Sequence, residues 1–300
     1  DKMKKRIIRI ASLALAILGM VSCSDEQETA LRPQDAKSIP MTFLVSHPGQ
    51  ASRATDTNFE KNDKIGLYVA DAKAQLEIGG NLVNNKDLIY DGSKWDPART
   101  LYWDEGTYTA YAYYPYMENV SSITDQPFSV ALDQRVAKTA TSLGGYEASD
   151  LLFATSKNIT ASDSPINLTF KHIMSKLKIR LVKGEDFEGE MPATADVYIH
   201  NTVPTATVDL QAGVATRYVK GTRHTIVARQ DDATSYSAII VPQRIDNRMP
   251  LIEVVMNGVS YLYESKFQFK PGIEHLVNLI ISDNPDQVKI EIGGEIQNWQ

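Results

Sequence analysis

Short runs in which apolar and polar residues alternate recur along almost the whole chain, and they predict β-strands. A strand sends successive side chains to opposite faces, so a half-buried strand betrays itself by a period of two. In the first run, residues 38–46, Ile39, Met41, Phe43 and Val45 fall on one face and Pro40, Thr42, Leu44 and Ser46 on the other. His47-Pro48-Gly49-Gln50 breaks the pattern, and Ala51-Ser52-Arg53-Ala54-Thr55-Asp56 is small and polar around one cation, the composition of an accessible loop. A strand tied to the body by such a loop is removable by one cut.

The same signal predicts strands at 64–69, 88–90 with Trp95 across an Asp91-Gly92 turn, 100–103, 107–114, 128–132 and 151–154. Ser162-Asp163-Ser164, followed by Pro165, marks an internal boundary. Beyond it strands are predicted at 166–170, 176–182, 196–200, 206–210, 224–228, 236–241, 251–256, 259–267, 274–281 and 287–292. Amphipathic helices longer than two or three turns are not predicted. Many short strands at roughly ten-residue spacing define an all-β chain of two tandem β-sandwiches. The N-terminal sandwich is expected over 38–163, with a removable first strand at 39–46, and the C-terminal one over 164–300.

Composition agrees: 300 residues with 43% hydrophobic and 23% charged suit about two globular domains. The formal net charge of −6 conceals an asymmetry, because Lys2, Lys4, Lys5, Arg6 and Arg9 cluster at the start and leave the remainder more acidic than the whole. No basic patch is expected in that remainder, which argues against nucleic acid as a partner. The basic stretch runs into apolar residues 10–21, too short for a membrane span and of the form of a secretory signal over 1–22. Met20-Val21-Ser22-Cys23 resembles a bacterial lipobox with Met where Leu is commoner. Cys23, the single cysteine, would then carry lipid such as palmitate and attach the chain to the outer membrane; the alternative is a free buried thiol. Ser24-Asp25-Glu26 resembles an acidic tag for export to the cell surface. Residues 23–37 read as a polar tether, and Asp1 and Lys2 precede the expected initiator, Met3.

Catalytic constellations are not found, and neither an enzyme nor a cofactor is expected. His47, His172, His200, His224 and His275 are dispersed, without zinc-ligand spacing. Asp283-Asn284-Pro285-Asp286 lacks the central Gly and terminal Glu of an EF-hand loop. An aromatic run that includes Trp95, Tyr102, Trp103 and Tyr113 admits two readings. Stacked rings suit a sugar-binding surface, whereas alternating aromatics also fill sandwich cores, and strand propensity favours the core.

The order of Ser52-Arg53-Ala54-Thr55, residues 59–68 (FEKNDKIGLY), Tyr90-Asp91-Gly92-Ser93-Lys94-Trp95, Tyr102-Trp103, residues 111–116 (YAYYPY), Ser149-Asp150-Leu151-Leu152, Phe170-Lys171-His172 and Trp299 resembles the fimbrillin family, the subunits of type V pili of Bacteroides-type bacteria. The resemblance implies two transthyretin-like β-sandwiches, export as a lipoprotein, and cleavage by an arginine-specific protease between Arg53 and Ala54. The cut would release the lipid and the first strand, and a strand from another pilin subunit would fill the vacated groove. It further implies residence on the outer membrane or in the fimbrium and a role in cell adhesion, with a host or bacterial surface ligand. An uncut Arg53 would mark a lipid-retaining anchor, and a fixed strand at 287–300 would mark a tip or accessory subunit. The same strand swung out would be a donor.

Overall fold

The computed structural model describes residues 38–48, 58–287 and 289–297. The expected signal and tether, with Cys23, and the expected cut point Arg53-Ala54 lie outside the described residues. In chain order the described elements are β1 (Phe43–Ser46), β2 (Lys64–Asp71), β3 (Val83–Tyr90), β4 (Trp95–Pro97), β5 (Thr107–Tyr114), β6 (Gln126–Ser129), the helix α1 (Gly145–Ser149), β7 (Leu152–Thr160), β8 (Ile166–Thr169), β9 (Lys171–His172) and β10 (Ser175–Lys183). The second half adds β11 (Asp196–Thr202), β12 (Thr205–Asp209), β13 (Val214–Arg217), β14 (His224–Val227), β15 (Arg229–Gln230), β16 (Ser235–Ile240), β17 (Gln243–Met256), β18 (Val259–Phe269), β19 (Ile273–Ile281) and β20 (Lys289–Gln297). The fold is all-β, as the alternation predicts.

Five sheets form. A six-stranded sheet runs β4-β3-β2-β5-β7-β9, and β1 pairs with β8 alone. A five-stranded sheet runs β15-β16-β10-β19-β20, a four-stranded sheet β14-β11-β17-β18, and a three-stranded sheet β13-β12-β6. The six-stranded sheet is buried on both faces. One face sends Ile65, Leu67, Val69, Ala110, Ala112 and Leu152 into a core shared with Ile166, Leu168 and Phe170. The other sends Tyr68, Tyr111, Tyr113 and Phe153 into a larger core shared with Leu177, Ile179, Val208 and Ile226. Close approach is bought with glycine at two places. A Cβ on Gly66 would sit 2.3 Å from the Tyr113 ring, and one on Gly213, which turns β12 into β13 at φ +67, would sit 2.1 Å from Phe153.

The boundary expected between 163 and 164 does not divide the sheets. β8 and β9 follow it in sequence yet pair with β1 and β7, while β6 precedes it and pairs with β12. The Ser/Asp-rich stretch is a bend between β7 and β8. By contact, residues 38–300 form one unit.

Candidate functional site

The stretch 38–48 lies between two segments and hydrogen bonds to both. On one side Pro40 bridges Tyr102 antiparallel, with the Met41 N–H donating to the Leu101 carbonyl (2.8 Å) and the Trp103 N–H to the Ile39 carbonyl (2.9 Å). On the other, β1 runs parallel to β8 in the register Phe43 to Ile166 and Val45 to Leu168. The Ile166 N–H donates to the Thr42 carbonyl (2.8 Å) and the Phe170 N–H to the Ser46 carbonyl (3.0 Å). Since β8 has no other sheet partner among the described strands, loss of β1 would leave its ladder groups unpaired.

Side chains follow the period read from the sequence. Met41 is only 5% exposed, and Ile39, Phe43 and Val45 pack partly buried against the same core as Ile166 and Trp103. On the opposite face Leu44 is 54% exposed. Full burial of such side chains is worth about 1.5–3 kcal/mol each, so one fully and three partly buried residues seat the strand firmly. One inward residue was not foreseen. His47 is buried, its ring 4.8 Å from Phe59 in an edge-to-face contact and 6.1 Å from His172. Phe59 in turn meets Trp95 (4.9 Å), Tyr114 (5.4 Å) and Phe170 (5.7 Å). The residues that flank 49–57 in sequence are therefore anchored ring to ring. On its far side Asp63 and Glu60 both pair with Lys138 Nζ at 2.9 Å.

The aromatic run does not make an exposed platform. Trp95, Trp103 and Tyr113 are interior, and only Tyr102 of the four, at 44%, faces solvent. Burial pushes the phenols of Tyr113 and Tyr114 well above their ordinary range, and that of Tyr68 up to about 12. These rings serve packing. Among the described residues no group of three or more His, Cys, Asp or Glu side chains stands close enough to hold a metal ion. Nor is any described helix long and apolar enough to cross a membrane.

The described residues form an all-β body in which the stretch 38–48 is seated between two segments. The fimbrillin-like family model matches residues 52–299, and the chain belongs to that family. A Bacteroides ovatus protein assigned as the fimbrium tip subunit Fim1C is 25% identical over 191 residues, which is 59% of this chain and 35% of that protein. The chain thus spans about a third of the length of the curated relative it matches. Two crystal structures of proteins assigned to cell adhesion share the fold at a TM-score of 0.66 each. One, from Bacteroides ovatus, is 18% identical and covers 88% of this chain and 98% of its own. The other, from Bacteroides uniformis, is 20% identical and covers 90% and 100%. The tip fimbrial protein Mfa3 of Porphyromonas gingivalis superposes at 0.52 with 7% identity over 87% of this chain and 99% of its own.

Proposed function

We propose that the chain is a structural subunit of surface fimbriae that serve adhesion, and that the stretch 38–48 is a temporary plug. In this reading the chain is exported as a lipoprotein through Cys23 and held at the outer membrane. An arginine-specific protease cuts between Arg53 and Ala54, and the plug leaves with its lipid. A strand from another subunit then pairs with β8 and with residues 101–103, because an open ladder beside an apolar groove is costly to leave empty. The observation that carries the reading is the position of the stretch 38–48: hydrogen-bonded to residues 101–103 through Ile39 and Met41 and to β8 through β1, inward by period two, and followed in sequence by a small polar segment bearing one arginine. In the same reading the two tandem sandwiches are transthyretin-like and share the larger core.

Mass spectrometry of the protein from cells tests the reading. A chain beginning at Ala54 is expected, and Arg53→Ala should leave only the long form and abolish filaments. If lipidated Cys23 persists as the sole form in wild-type cells, strand exchange is not the route.

A second reading, a tip subunit that receives a strand without giving one, is favoured by β20. It pairs antiparallel with β19 from Lys289 opposite Ile280 to Gln297 opposite Ile273. Labelling of this chain along isolated filaments separates the two: signal at one end supports the tip, signal throughout supports the stalk.

A further inference from the structure

The face of the four-stranded sheet turned away from the core carries an open cleft of about 320 Å³. Two irregularities in neighbouring strand pairs lie beside it. The register of β11 on β14 shifts between Ile199 and Thr202, and that of β17 on β18 shifts between Pro250 and Ile252. Asn201, at φ +62, ties the two together by donating from Nδ2 to the Pro250 carbonyl (2.8 Å). β-bulges of this kind re-aim side chains beside binding sites.

A fixed polar chain lines the floor. His200 bonds through Nδ1 to Thr225 Oγ1 and through Nε2 to Glu253 Oε2, both at 2.8 Å. The Ser260 hydroxyl donates to Glu253 Oε1 at 2.6 Å. The Ser260 hydroxyl, and then His200, hold the Glu253 carboxyl below its ordinary range, so it is an anion with lone pairs to spare. Pro250 and the 45%-exposed Leu262 supply apolar surface at the rim.

Arg223 projects at the edge of this cleft. Its one polar contact among the described residues is from Nη1 to Met249 Sδ (3.1 Å), and no carboxylate there reaches ion-pair distance. The segment 217–223 (RYVKGTR), from the last residue of β13 onward, also holds exposed Arg217 and Lys220, likewise without an ion-pair partner among the described residues, and contains no acid. In a chain of net charge −6 this is a local cationic feature that the sequence reading, which expected no basic patch, overlooked.

We propose that the cleft binds an acidic saccharide. Arg223 pairs the carboxylate or sulfate of the sugar, because a guanidinium matches either anion with two parallel hydrogen bonds. Glu253 accepts from ring hydroxyls, and Leu262 with Pro250 covers the C–H face. The volume lies at the small end of ligand sites, which suits one or two sugar units held on rigid strands. The site is on a different sheet from β1, so it goes beyond the strand-exchange reading and stands without it.

Isothermal titration of the full chain tests the inference. The probes are the methyl glycosides of N-acetylneuraminic acid and glucuronic acid and a sulfated chondroitin disaccharide. Methyl mannoside is the uncharged control, and hexaglutamate the acidic-peptide control. Binding of a carboxylated or a sulfated sugar is expected, and whichever binds identifies the anion; the controls should bind at least about tenfold more weakly. Arg223→Ala should cost at least about tenfold in affinity while leaving the thermal midpoint and filament yield unchanged; Glu253→Gln should weaken the same sugars. The inference is overturned if no acidic sugar binds at millimolar concentration, if hexaglutamate binds as well as the sugars do, or if Arg223→Ala binds normally.

Discussion

Gly66 owes its place to Tyr113. The two face each other across β2 and β5, and the ring fills the space of a Cβ at 2.3 Å while its hydroxyl donates to the Met117 carbonyl at 3.1 Å. A side chain at 66 must displace a ring already fixed at its far end. Gly66→Ala is therefore expected to destabilise the chain by about 1–3 kcal/mol, the usual penalty of overpacking, measurable as a lower urea midpoint at unchanged slope. Such a contact is invisible in sequence, since nothing in IGLYV says which strand will lie opposite. The inward set Ile39, Met41 and Phe43 was legible, because a period of two needs no knowledge of the partner. His47 continues that parity but sits beside Pro48, and the break signal hid it.

At the scale of elements, β1 and β20 are each held by one sheet neighbour, and each can be tested. A chain cut in the loop and stripped of its first segment is expected to rebind a peptide of residues 38–48. Met41→Ala in that peptide should weaken binding by about 2 kcal/mol or more, the low end for an emptied core site and roughly thirtyfold; equal binding of both peptides in a fluorescence titration would refute the seating. β20 is latched by Glu295, which pairs with Lys270 Nζ at 2.7 Å and lies 3.7 Å from His275 Nδ1. His275 is buried between the Phe267 and Phe269 rings, and its Nε2 accepts from the Lys270 N–H at 3.1 Å. Burial holds this imidazole below its ordinary range, an effect that Glu295 opposes and Lys270 reinforces. The unfolded chain then binds the proton first as pH falls through about 6.5, so stability present at neutral pH is lost on acidification. Melting temperatures measured from pH 7 to pH 5 should fall, and His275→Gln should flatten that slope. Local alternation revealed most of these strands. Their partners, such as β8 for β1 and β12 for β6, were not legible, because pairing across long separations depends on the whole chain.

On the scale of the whole molecule, the larger core joins the six-stranded sheet to the sheets of the second half. A hairpin from the second half presses Gly213 onto Phe153 of the first, so neither half can unfold without exposing the other. Calorimetry is expected to show one transition for residues 38–300; two resolved transitions would mean that the halves are energetically separate. Charge misled at this scale, since a net value of −6 averages away the segment that holds Arg217, Lys220 and Arg223.

The contact between His47 and Phe59 has a practical consequence. Because the rings meet at 4.8 Å, the body itself holds residues 47 and 59 together, whatever sequence stands at the nine positions 49–57. Lengthening such a loop is cheap, about 0.6 kcal/mol for each doubling. The recognition sequence of any chosen protease can therefore be spliced in around the proposed cut at Arg53. On the strand-exchange reading proposed above, addition of that enzyme starts the clock on assembly in a test tube, and the growth of a filament is timed from a single defined moment.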